Sequence, residues 1–95
     1  MSDTKVDQAA EVLKLMAHPI RIRIILALTE RSSVNVSTLQ QQLQVDISLL
    51  SHCLTKMRDH GLLECSRQGK ERYYSLTNSS ITQALMILLN REMSR

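Results

Sequence analysis

The apolar positions of the chain fall into runs with two different periods. Val6, Ala9, Ala10, Leu13, Met16 and Ala17 recur three and four residues apart, the spacing of one helix face. They predict a first helix that starts near Asp3 or Thr4 and ends near Ala17, since the residue before Pro19 avoids the helical region. Pro19 suits the first turn of a second helix through "IRIRIILALTE". There Ile20, Ile22 and Ile24 alternate with Arg21 and Arg23, which a strand could also do; the length and the following "IILAL" favour a helix. "RSSVNVS" is a loop with room for a short strand at Val34 to Val36. Ser37 and Gln40 then fit a capping box for a short third helix with Leu39 and Leu43 inward. After the turn "QVD", Asp46 can cap a fourth helix, "ISLLSHCLTKMRDH", and Gly61 suits the left-handed position beyond its end. Two short helices joined by a tight turn form a helix-turn-helix pattern.

The period then changes. "LLECSRQ" and "ERYYSL" read as two strands joined by a "GK" turn, a hairpin with a charged tip. Thr77 to Ser80 offers caps for a last helix with the stripe Ile81, Ala84, Leu85, Leu88, Leu89 and Met93. The expected fold is therefore mainly α with a small β-hairpin wing: a winged helix-turn-helix with helices at both ends, forming one domain over residues 1–95.

Composition narrows this picture. With 95 residues, no Trp, no Phe and two adjacent tyrosines, the core must be built from Leu, Ile, Val, Met and Ala. A core of that size contributes little net stability, so a second subunit is a natural expectation. Two cysteines do not make a secreted disulfide scaffold, and "MSDTKVDQ" has no apolar signal segment. The longest apolar run, "ALMILL", is far too short to span a bilayer. A cytoplasmic protein with reduced thiols and no membrane contact is expected. The net charge of +3 is small, and its distribution says more. Residues 1 to 46 balance, whereas residues 47 to 75 set Lys56, Arg58, Arg67, Lys70 and Arg72 against Asp59, Glu64 and Glu71. A polyanionic partner on the later half is compatible with this skew.

Three stretches carry a resemblance to a known family. "LKLMAHPIRIRIILAL" resembles the opening "ALADPTRLRILRLL" pattern of the ArsR/SmtB family of small bacterial winged-helix repressors. "LQQQLQVDISLLSHCLTKMRDHGLL" is similar to that family's helix-turn-helix core, with Ser48, Ser51, Leu54, Met57 and Gly61 in register. "RQGKERYYSLT" resembles its wing pattern, R-x-G-R-x-x-Y-Y-x-L. Together these cover about two-thirds of the chain in order, which is far more specific than a lone helix-turn-helix match. The resemblance implies a homodimer, paired through its first and last helices, that binds a palindromic operator in double-stranded DNA and is released by a small effector. It does not carry metal sensing with it. The family's Cys-x-Cys positions fall on Asn35 and Ser37, and neither an amide nor a hydroxyl replaces a thiolate for a soft metal. The last helix has no His or Cys, and Glu92 is its one carboxylate. No metal site and no cofactor are expected.

Helical phase divides the fourth helix. Leu50, Cys53, Leu54 and Met57 form one apolar stripe, which must face the core. Ser48, His52, Thr55 and Asp59 lie opposite, flanked by Ser51 and Lys56. His52 and Cys53 are adjacent in sequence and so point apart, which prevents them from sharing a metal. A short-chained hydroxyl face suits a major groove. By resemblance, Ser48, Ser51 and His52 take positions that relatives use against DNA, with Thr55 beside them. Lys56 and Arg58 suit phosphates, as do Arg67, Lys70 and Arg72 around Gly69 on the wing. The candidate DNA-binding set is thus Ser48, Ser51, His52, Thr55, Lys56, Arg58, Arg67, Lys70 and Arg72.

Cys53 in the core stripe and Cys65 in the first wing strand read as small packed hydrophobes. A redox pair between them, which would pin the reading helix to the wing, is the alternative within the family, as is a metal response through the same thiols. A winged-helix module that binds another protein is the alternative outside it. No glycine-rich phosphate loop, nucleophile elbow or carboxylate cluster supports an enzyme.

Overall fold

The computed structural model describes residues 3–77 and 80–90. Helix α1 spans Asp3–Met16 and α2 spans Pro19–Thr29. Between them His18 is extended (φ −141°, ψ 126°), as a residue before proline must be, and Pro19 opens α2. The strand alternative for "IRIRII" is thereby excluded, and Ile24, Ile25, Ala27 and Leu28 are buried.

Strand β1 is Val34–Asn35, followed at once by α3, Val36–Leu43. The expected capping box at Ser37 is corrected here. Asn35 is the cap, its side-chain oxygen accepting from the Thr38 N–H at 2.8 Å. The cause is tertiary. Val34 and Asn35 pair with Tyr74 and Tyr73, which holds Asn35 extended, so the helix must begin directly after it and Ser37 falls inside the first turn.

The helix-turn-helix turn is Gln44–Asp46. Gln44 takes a left-handed conformation (φ 54°), and the Gln40 side chain donates to the Val45 carbonyl at 3.3 Å across the turn. Helix α4 runs Ile47–Asp59. Asp46 caps it as expected, accepting from the N–H groups of Ser48 (2.9 Å) and Leu49 (3.2 Å). At the far end Gly61 is left-handed (φ +78°). The Gly61 N–H donates to the Arg58 carbonyl and the Leu62 N–H to the Met57 carbonyl, both at 2.9 Å. This pair of bonds is a Schellman closure, with buried Leu62 and Met57 as its apolar contact.

Strands β2 (Leu63–Gln68) and β3 (Glu71–Leu76) form the hairpin around Gly69 and Lys70. With β1 they make a three-stranded antiparallel sheet in the order β1-β3-β2. Thr77, offered above as a cap for the last helix, instead donates its hydroxyl to the Gly61 carbonyl at 2.6 Å and so ties the hairpin's end to the end of α4. Helix α5 spans Ser80–Leu88; Asn78 and Ser79, the other offered caps, lie outside the described residues, as does Met93.

One core unites these elements. It includes Leu15, Ile24, Ile25, Leu28, Val34, Leu39, Leu50, Leu54, Met57, Leu63, Tyr74 and Leu85. The stripes read for the terminal helices are divided: Met16, Leu85 and, in part, Ile81 join the core, and the rest of their described residues do not. In α1 the buried residues are Leu15 and Met16, whereas Val6, Ala9, Ala10, Leu13 and Ala17 of the expected stripe are exposed, Leu13 by 62%. In α5 the buried residues are Thr82, Leu85 and Met86, while Leu88 is 77% exposed and Ile87 79%. The chain packs one edge of each terminal helix, with Val12 and Ile81 half-buried beside it, and leaves Leu13, Ile87 and Leu88 outside.

Candidate nucleic-acid interface

Helix α4 has two sharply different sides. Leu50, Cys53, Leu54 and Met57 are 0–3% exposed, as their spacing requires. Ser48, Ser51, His52 and Thr55 are all exposed on the other side. The helix is rooted in the core along its whole length and fixed at both ends by its caps, so its outward side chains project from a rigid element.

The two basic residues of α4 separate. Lys56 lines a polar concavity of about 290 Å³ with His18, Arg21 and His60, between α1, α2 and the end of α4. The Arg21 guanidinium there donates from Nη1 to the Leu15 carbonyl at 3.0 Å, closing the end of α1. Arg58 lies on the opposite flank, toward the wing, where its charge acts on the Tyr74 hydroxyl.

Tyr74 marks the junction of α4 and the wing. Burial pushes its hydroxyl above the ordinary tyrosine value, and its hydrogen bond with Cys65 adds to the rise. A hydrogen bond from Arg72 and the charge of Arg58 pull the other way and are outweighed. Cys65 stands directly opposite Tyr74 in the sheet and is half-buried; Cys53 is buried; both thiols are free. Among the described residues no three His, Cys, Asp or Glu side chains are grouped to hold a metal ion.

The wing carries its charge on the sheet face continuous with Leu63, Cys65 and Tyr74. Arg67 and Arg72 are register partners, so two like charges sit side by side, with Lys70 at the tip. Like charges directly opposite on adjacent strands are destabilising. All nine residues of the candidate set are exposed. The structure places Ser48, Ser51, His52 and Thr55 on one helix face, brings Arg58 and Arg72 both to bear on the Tyr74 hydroxyl, and turns Lys56 toward α1. The sequence reading passed over Ile47 and Leu49, which are exposed by 43% and 45% on the first turn of α4. Their phase, outside the Leu50–Met57 stripe, was the available signal.

Comparison with known proteins agrees with this architecture. The family described as methanogenesis regulatory protein FilR1, N-terminal domain, matches residues 9–93. The transcriptional repressor PagR of Bacillus anthracis is 41% identical over 81 residues, covering 85% of this chain and 80% of PagR. A transcriptional repressor SmtB homolog of Synechocystis is 33% identical over 85% of this chain and 61% of its own length. The crystal structure of PagR superposes with a TM-score of 0.80 at 36% identity, covering 92% of this chain and 99% of that one. NolR from Sinorhizobium fredii does so at 0.81 and 28% identity, covering 97% of each. These relatives carry the names of transcriptional regulators, and among the described residues no helix is long and apolar enough to cross a membrane. With the helix order, the cap-bounded α4, the hairpin wing and these matches in agreement, the chain belongs to the ArsR/SmtB family of winged helix-turn-helix transcriptional repressors.

Proposed function

We propose that the chain, acting as one domain, is a homodimeric repressor that binds a palindromic operator with α4 in the major groove and the hairpin along the flanking backbone. The observation that carries this reading is the division of α4: a fully packed apolar stripe backs an outward face of Ser48, Ser51, His52 and Thr55. Hydroxyls and an imidazole at those positions can approach base edges, while Arg58, Arg67, Lys70 and Arg72 bind phosphates. The juxtaposed Arg67 and Arg72 support it further, because phosphate oxygens would relieve the repulsion between them.

The dimer reading rests on the terminal helices. Apolar clefts of about 370 and 290 Å³ run between α1 and α5, and Leu13 borders both. A second copy that covered Leu13, Leu88 and their neighbours would bury the surface the single subunit leaves exposed, and two-fold symmetry follows from a self-complementary patch. Two copies of α4 then enter successive major grooves about 34 Å apart.

The test is selection of bound duplexes from a random pool, followed by affinity measurements across salt. Ser51→Ala and His52→Ala should weaken specific binding more than non-specific binding. Lys70→Ala and Arg72→Ala should weaken both and lower the salt slope by about one each. If all four variants bind the selected duplex as the parent does, the assignment of this face is wrong.

A further inference from the structure

The hollow between α1, α2 and the end of α4 has no part in the outward face of α4 or in the clefts between α1 and α5. Lys14 and Lys56, from the last turns of α1 and α4, line it together with His18, Arg21 and His60. Glu11 is the one carboxylate of the lining, so three permanent cations face a single anion. The His60 ring is held there by its Nδ1, which donates to the Lys56 carbonyl at 2.9 Å. Basic residues are common in the last turn of a helix, and Lys14 and Lys56 each satisfy that rule alone. The rule does not bring two helix ends and the start of a third onto one hollow of about 290 Å³. Nor does it account for Arg21. The Arg21 guanidinium donates from Nη1 to an uncharged carbonyl, that of Leu15, at 3.0 Å, and its Nε is buried with no acceptor. A buried donor left unpaired is uncommon in a folded chain and calls for a partner.

We propose that this hollow is a binding site for a small oxyanion of the phosphate class, either free phosphate or the phosphate group of a small ester. Arg21 and the two lysines bring charge and converging N–H donors to it. A DNA backbone carries the same group, but the surroundings favour the small molecule. A neighbouring concavity of about 560 Å³ shares Glu11 and His60 with this one and is lined by Asp7 as well. A duplex laid across the hollow would press further phosphates against those two carboxylates, whereas a compact anion stops short of them. His60 also lies about 18 Å along the helix axis from Ser48, at the end of α4 opposite the first turn. An anion held here would join α1 and α2 to the last turn of α4. The site does not depend on the DNA-binding reading.

The test is a titration of the isotope-labelled full chain with inorganic phosphate, replacing chloride at constant ionic strength and followed by nuclear magnetic resonance. Saturating shifts are expected at residues 14–21 and 56–60 and at the Arg21 Nε–H signal. Lys14→Gln and Lys56→Gln should each weaken the fitted affinity about two- to fivefold, the effect of one charge pair at an exposed position. Gln is a good helix former, so both variants keep the fold. Arg31→Gln, the same loss of charge at an exposed position outside the lining, should leave the affinity unchanged. Shifts that rise without saturating, shifts that centre on the wing, or equal affinity in the parent and both lysine variants overturn the proposal. The duplex selected above separates the two sources of the phosphate group. Lys14→Gln should bind it as the parent does; a loss as large as that of Lys70→Ala would give the hollow to backbone phosphate and overturn the small-anion assignment. Failure to select any duplex sinks the DNA-binding reading and leaves the phosphate titration to decide this one.

Discussion

The cap of α4 offers a sharp test because one side chain joins fold to candidate interface. Asp46 accepts from two of the N–H groups that have no partner within the helix, those of Ser48 and Leu49, while its own carbonyl takes the Leu50 N–H at 3.0 Å. Removing such a cap costs about 1 kcal/mol, within a range of about 0.5–2. In a domain of this length that lowers Tm by about 4–8 °C. Asp46→Ala should show this loss in thermal or urea unfolding, with faster amide exchange at Ser48 and Leu49 than at Leu54. Asp46→Asn keeps the hydrogen-bonding oxygen and loses only the charge interaction with the helix N-terminus, worth about 0.3–1 kcal/mol at an exposed site. It should therefore be the milder change. In operator binding the two effects oppose. Loosening the first turn weakens binding by about fivefold for each 1 kcal/mol of ordering restored on the DNA, whereas removing a carboxylate near phosphates strengthens it. Asp46→Asn should bind as well as the parent or better, and Asp46→Ala worse than Asp46→Asn. Equal stability of the parent and Asp46→Ala, or an Asn variant as damaged as the Ala variant, would refute the capping argument.

Three further outcomes are expected. Gly61→Ala forces a side chain into a left-handed position and should cost about 1–2 kcal/mol in urea unfolding, although a Cβ there meets no atom within 4 Å; Gly61→Asn should cost less. Leu88→Glu should convert a sedimenting dimer to single chains while keeping the far-ultraviolet spectrum, because Leu88 is exposed within the subunit; a dimer that survives it would remove α5 from the interface. Tyr74 has a folded-state pKa raised above its unfolded value. Its contribution is therefore fully present below about pH 10 and is lost as pH rises through the folded value. The unfolding free energy of the parent relative to Tyr74→Phe should accordingly fall above about pH 10, and a flat difference would contradict the burial that raises it.

How much was legible from the chain alone follows the range of the forces involved. The stripe of α4, the Asp46 cap, the Gly61 stop, the Pro19 start and the hairpin over residues 63–76 are all set by neighbours within a few positions. Periodicity and local hydrogen bonding reach that far, so the order of elements, and with it the family pattern, could be read directly. The capping of α3 could not. Asn35 rather than Ser37 begins that helix because β1 pairs with β3, some 40 residues away along the chain. Periodicity also named the apolar residues of α1 and α5 without deciding which of them this subunit buries. Leu15, Thr82 and Met86 pack inward while Leu13, Ile87 and Leu88 stand outside, because the width of the core between two helices is a property of their crossing, not of either sequence. The same holds for Leu49 and for the separation of Lys56 from Arg58. Spacing puts each on a flank of α4, but only the packing of α1 and the wing around that helix decides which flank is covered, which faces a polar hollow, and which is left open to a partner.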